Sequence, residues 1–121
     1  MNKKRQAIYD KYNGRCAYCG CALPDKWHVD HLKPIIRMDW ARKDMKPQFP
    51  ELDCLGNLMP ACPSCNIDKH SYPLEAWRTI LQGRLATLNR LTAYKFAKRF
   101  GQLVETPSEI VFYFEKEESV K

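Results

Sequence analysis

The chain has 121 residues, of which 45% are hydrophobic and 28% charged, enough for one small core and too few for a second full-sized domain. Its longest unbroken apolar run, Ile110 to Phe114, excludes a bilayer-crossing helix of about 20 residues. The basic start Lys3-Lys4-Arg5 leads into Gln6 and Asp10 rather than the apolar stretch of a secretory signal. Twenty Lys and Arg against fourteen Asp and Glu give a formal net charge of +6, which suits a polyanionic partner without choosing between nucleic acid and an anionic membrane surface.

These features lead us to expect a reducing, cytoplasmic location, where clustered thiols hold metal more often than they form disulfides. In chain order, Asn2 to Asn13 reads as a short basic helix with Gly14 as its C′ residue. Cys16-Ala17-Tyr18-Cys19-Gly20 follows as a tight turn whose backbone N–H groups point at sulfur. Trp27 to Leu32, rich in β formers and bounded by prolines, predicts a strand. Lys33 to Asn57 is broken by Pro34, Pro47, Pro50 and Gly56, so it is expected to be a long functional loop with room for a helical piece within Ile35 to Met45.

Cys62-Pro63-Ser64-Cys65 forms a second knuckle, and Asn66 to Lys69 would begin a helix. Ser71 and Pro73 open a helical stretch with Leu74, Trp77, Ile80, Leu81 and Leu85 on one stripe. Leu91 to Phe100 repeats the pattern and ends at Gly101. Ile110 to Phe114 reads as a closing strand before an acidic tail. Trp77, Tyr94, Phe96, Phe100, Phe112 and Phe114 are expected in the core and receive no function. The class is α+β, in one domain spanning residues 1–121.

Cys16-x-x-Cys19 and Cys62-x-x-Cys65 together can form the closed tetrahedral four-thiolate shell of structural zinc. Such a staple suits a small domain, since metal binding to a site absent from the unfolded chain contributes roughly 10–16 kcal/mol in zinc-finger peptides. Buried free thiols and a redox-active Cys-x-x-Cys are the alternatives, the latter disfavoured by two pairs and no βαβ context. Cys21 and Cys54 are left over, and Cys21 lies near enough to replace a member of the first pair.

Between and after the knuckles stand Asp30-His31-Leu32-Lys33-Pro34, Asn57-Leu58 and Cys65-Asn66-Ile67-Asp68-Lys69. From Cys16 to Lys69 this order resembles the HNH endonucleases, the ββα-metal or His-Me finger family, in the variety with two flanking Cys pairs. The closing Val111-Phe112-Tyr113-Phe114-Glu115 also looks like small stand-alone phage-type members. The resemblance implies a ββα-metal core over about residues 14–70, stapled by zinc, with 71–121 as a helical extension and closing strand.

The chemistry gives its own reason for these residue types. Phosphodiester hydrolysis needs a base for water, which neutral imidazole supplies near pH 7. It also needs a hard cation held by few protein ligands, and one carboxylate with one amide oxygen suffices. By resemblance His31 is the general base, Asp30 and Asn66 hold the catalytic ion, and Asn57 positions the loop that carries His31. Asn66 stands where many relatives have a histidine, an oxygen donor that favours Mg²⁺ or Mn²⁺.

In a regular strand Asp30 and His31 point to opposite faces, so one site can use both only if the strand ends or bulges there. His28 shares the face of Asp30 and is open between an extra ligand, a supporting or substrate contact, and a partly exposed strand residue. His70 falls outside the pattern. Lys3, Lys4, Arg5, Lys11, Arg15, Lys33, Arg37, Arg42, Lys43, Lys46 and Lys69 surround the nuclease half, and Arg84, Arg90, Lys95, Lys98 and Arg99 belong to the helical half.

Too few residues follow Lys69 for a separate base-reading domain. The expectation is a nicking or weakly selective DNA endonuclease, of phage or mobile-element type, given specificity by partner proteins. A non-catalytic zinc-dependent DNA-binding protein and an HNH nuclease acting on RNA or as a toxin are the alternatives.

Overall fold

The computed structural model describes residues 1–34 and 50–120. The helical piece expected within Ile35 to Met45, and Arg37, Arg42, Lys43 and Lys46, lie outside them. The chain divides into two compact units, Met1–Leu74 with Val111–Lys121, and Glu75–Ile110. Helices and one small sheet make it α+β. No helix among the described residues is long and apolar enough to cross a membrane.

In the first unit, helix α1 (Lys3–Asp10) begins where the Asn2 side chain accepts from the Arg5 N–H at 2.8 Å. It ends at Asp10, three residues before the expected Asn13, so Gly14 is not its C′ residue; instead Asn13 and Gly14 carry the following turn at φ +55° and +76°, a conformation that favours glycine. Its buried residue, Ile8, packs with Trp27 and Leu58. Arg5 closes this cluster, its guanidinium 3.9 Å from the centroid of the Trp27 ring and its Nη2 donating to the Trp27 carbonyl at 2.5 Å.

Strand β1 (His28–His31) pairs antiparallel with β2 (Leu58–Ala61), with Asp30 opposite Met59 and His31 opposite Leu58. Sequence reading did not assign β2, because Pro60 interrupts its pattern. In a two-stranded sheet each strand keeps an edge, where a residue without an N–H is tolerated. The Pro60 carbonyl accepts from Ala17 N at 2.8 Å, tying β2 to the first knuckle.

Helix α2 (Pro63–Lys69) starts inside the second knuckle, three residues before the expected Asn66. Pro63 pre-sets its first turn, and Cys62 Sγ caps it by accepting from Cys65 N at 3.4 Å. The order β1, β2, α2 therefore brings the Asp-His segment, the Asn57 loop and the second Cys pair into one unit.

The chain end differs from expectation. Residues 110–112 pair with no strand, and Tyr113–Val120 is a helix, here α3 of the first unit. Glu115 Oε1 accepts from Phe112 N at 2.9 Å, half of a capping box, and places its charge at the helix start. Tyr113 N and Phe114 N donate to the Tyr18 and Ala17 carbonyls, so this turn docks on the first knuckle. Phe112 and Phe114 are buried edge-on to Tyr18, at centroid distances of 5.9 and 6.3 Å.

In the second unit the stretch expected from Leu74 to Leu85 is split at Gly83 into α4 (Leu74–Gln82) and α5 (Arg84–Leu88). The third is α6 (Thr92–Arg99), followed by Gly101 at φ +75°. Lys98 Nζ meets Asn89 Oδ1 at 2.7 Å and Glu105 Oε1 at 2.8 Å, and Glu105 also accepts from Asn89 and Tyr94, which joins α6 to its neighbours. Trp77 is buried as expected, but Phe96 and Phe100 are 46% and 77% exposed. Their i,i+4 spacing places them together on the α6 face away from the Tyr94 and Lys98 bonds.

Candidate functional site

The two knuckles converge. Ligand atoms of Cys16, Cys19, Cys62 and Cys65 all lie within 4.8 Å of one another. Cys19 Sγ and Cys62 Sγ are 3.8 Å apart, and sulfurs at about 2.3 Å from a tetrahedral zinc are separated by about 3.8 Å. The donor set and its spacing therefore fit a metal ion, with soft thiolates favouring zinc.

Gly20, at φ +79°, makes the turn of the first knuckle, and a Cβ there would lie 2.9 Å from the Tyr113 ring. Hydrogen bonding from Cys65, opposed by burial and helped by backbone N–H groups, holds the Cys16 thiol down at about 4, and the same contact pushes Cys65 up. Burial, with Cys19 alongside, pushes Cys21 up to about 12. Cys54 is exposed and stands outside the tetrad.

Asp30 is buried on the side of β1 that α2 covers. Tyr18 Oη donates to its Oδ2 at 2.5 Å, and Lys69 Nζ pairs with the same oxygen at 3.1 Å. Burial first, and the Asp30 charge second, push the Tyr18 phenol up, so it remains the donor. Both partners act on Oδ2. Asn66 lies one turn before Lys69 on α2 and is half-buried, on the helix face that reaches β1. A carboxylate oxygen and an amide oxygen suit a hard divalent cation.

His31 leaves β1 on the other side. Its Nε2 is 3.0 Å from Asp53 Oδ1, and the hydrogen bond with His31 holds the Asp53 carboxyl below the ordinary carboxylate range. The ring faces a cleft of about 340 Å³ lined by Lys4, Arg5, Val29, Asp53 and Leu58 among others. The strand ends at His31, one residue before the expected Leu32, and the two side chains still diverge: Asp30 turns to Tyr18 and Lys69, His31 to Asp53.

Asn57 is buried between these parts. Its Oδ1 accepts from Lys33 N at 2.8 Å, and its Nδ2 donates to the Lys33 and Leu52 carbonyls at 2.9 and 2.8 Å. Its own carbonyl accepts from Leu32 N. One amide thus fastens the segment after His31 to the turn before Asp53. His28 is exposed, on the face of Asp30 and opposite Ala61. His70 is exposed at the end of α2.

Sequence reasoning missed Tyr18 and Asp53, and it misread Lys69. Tyr18 carried a signal, its place between two zinc-type cysteines beside the knuckle backbone. Asp53 carried none, being an acidic residue in an irregular loop. Lys69 stood in the family pattern and also among the cations around the nuclease half, but its side chain is fully buried and cannot reach a phosphate backbone. Lys11, also in that group, instead donates to the Leu58 and Leu55 carbonyls.

Comparison with known proteins gives one relevant relative. The protein described as "SPbeta prophage-derived putative HNH endonuclease YoqL" of Bacillus subtilis (strain 168) is 24% identical over 98 residues, covering 78% of this chain. The chain spans 40% of that relative's length. No family model and no solved structure matches. The chain is thus similar, at low identity, to that prophage-derived protein, and it carries four cysteines placed to hold a metal ion.

Proposed function

We propose that this chain is an HNH-type, divalent-metal-dependent endonuclease that hydrolyses DNA phosphodiester bonds, nicking or cutting with weak sequence selectivity. The observation that carries the reading is a histidine, His31, at the end of a strand, hydrogen-bonded to a carboxylate and facing a cleft with Lys4 and Arg5 on its wall. A base oriented by an acid beside cations suits activation of water against a phosphodiester.

His31 accepts the proton of the attacking water, and Asp53 holds the ring by one nitrogen. Lys4 and Arg5 attract the phosphate backbone. Asn57 holds the segment after His31 against the turn before Asp53. Asp30 and Asn66 would hold Mg²⁺ or Mn²⁺, which supplies charge stabilisation for the phosphate oxygens and the leaving group. Cys16, Cys19, Cys62 and Cys65 would hold zinc and keep β2, α2 and the first knuckle together.

One observation favours a second reading, a non-catalytic zinc-stapled DNA-binding protein: Asp30 is already neutralised by the Lys69 ammonium. Incubating the purified chain with supercoiled plasmid, single-stranded DNA and RNA, with Mg²⁺, with Mn²⁺ or without added divalent ion, separates the two. Metal-dependent conversion of plasmid to open circles is the expected result. Binding without cleavage under every metal condition would support the second reading, and cleavage confined to RNA would reassign the substrate.

A further inference from the structure

The face of α6 that carries Phe96 and Phe100 has an unusual composition for a solvated surface. The two rings are exposed and near-parallel, with centroids 6.2 Å apart at an interplanar angle of 25°, and the Arg99 guanidinium lies 5.4 Å from the Phe96 centroid. Lys95 and Arg99 are exposed at i,i+4 on the same side, beside the ring pair. From Arg84 to Val104 the sequence holds Arg84, Arg90, Lys95, Lys98 and Arg99 and no acidic residue. Lys98 alone of the α6 cations turns inward, to Asn89 and Glu105, and the Phe96 and Phe100 face lies on the opposite side of the helix.

Exposed aromatic planes flanked by cations suit a ligand with flat π-faces strung on a regular negative backbone. We propose that Phe96 and Phe100, with Lys95 and Arg99, form a docking surface for single-stranded nucleic acid, on which unpaired bases stack while the cations contact phosphates. Duplex DNA satisfies the charges but hides its base faces, so the rings should discriminate for the single strand. An anionic membrane is served less well, since an eight-residue helix bearing two aromatic side chains buries little apolar area. The surface lies outside the residues proposed for cleavage, and its test does not depend on cleavage.

The test measures fluorescence anisotropy of the full chain with a labelled oligothymidine of about 20 nucleotides, long enough for a typical single-strand site, and with a duplex of equal length, without added divalent ion. Phe96→Leu with Phe100→Leu keeps the face apolar and removes the stacking planes. It should weaken single-strand binding about fivefold or more, change duplex binding less than about twofold, and leave the salt dependence as it was. Lys95→Gln with Arg99→Gln should instead lower the slope of log affinity against log salt by about 1.4, at about 0.7 per phosphate contact. Undiminished single-strand affinity in the leucine variant, or an equal loss on duplex, would overturn the proposal. So would a variant that loses binding to phosphatidylserine vesicles or self-association while oligonucleotide affinity is unchanged.

Discussion

Lys69 Nζ sits 3.1 Å from Asp30 Oδ2 and 3.0 Å from the His31 carbonyl oxygen, and the lysine side chain is completely removed from solvent. One ammonium thus neutralises the carboxylate proposed to hold an ion and anchors the backbone of the residue proposed as base. Burying both charges is tolerable because Tyr18 adds a further hydrogen bond to the same oxygen.

Breaking the pair from one side leaves a buried charge alone. Lys69→Met should lower stability by about 3–5 kcal/mol in urea unfolding, and adding Asp30→Asn should restore much of it. Independent, additive losses would mean that the pair is not the unit described here.

The cysteine tetrad should hold one zinc per chain, measured by elemental analysis after gel filtration. Cys62→Ser should lose that metal and with it the cooperative unfolding transition, since a contribution of roughly 10–16 kcal/mol exceeds the net stability of a small domain. Cys54→Ser should keep both. A metal-free chain that unfolds as cooperatively as the loaded one would remove the staple from this account.

Asp53 meets His31 from an exposed position, so its effect should be smaller than that of the proposed base itself. Asp53→Asn should cut kcat about tenfold with KM little changed, a fraction of the roughly 10²–10⁴ available from general-base catalysis. A change confined to KM would make Asp53 a substrate-repelling or substrate-binding group instead.

The second unit should show its own acid sensitivity. Lys98, then Asn89, hold the Glu105 carboxyl below its ordinary value. A depressed folded-state value means that the stabilisation is present above the ordinary carboxylate range and is lost as pH falls through the lower, folded value. Glu105→Gln should therefore lower the melting temperature near neutral pH and match the parent chain in strong acid. A difference that persists unchanged into acid would assign the effect to packing rather than charge.

Several of these features were legible in the chain itself. The doubled Cys-x-x-Cys spacing located the tetrad, the β formers from Trp27 to Leu32 located β1 to within one residue at each end, and Gly101 marked a helix end where the backbone takes a positive φ. Strand β2 was hidden because Pro60 contradicts strand propensity and only pairing with β1 overrides it. The closing helix was hidden because Ile110 to Phe114 is β-rich, and the capping bond from Phe112 N to Glu115 decides the matter locally. Lys69 read as a surface cation because nothing in its spacing reveals a buried partner as distant in the chain as Asp30. The exposure of Phe96 and Phe100 likewise depends on which face of α6 the Lys98 network holds inward.

The most direct test is single-turnover nicking of supercoiled plasmid by the parent chain and by His31→Ala, prepared identically and matched for zinc content, in Mg²⁺ and in Mn²⁺. With His31 as the base, the parent should nick in a metal-dependent manner and the variant should lose about 10²–10⁴ in rate, with zinc content, fold and DNA binding retained. Nicking by His31→Ala at the parent rate would contradict that role.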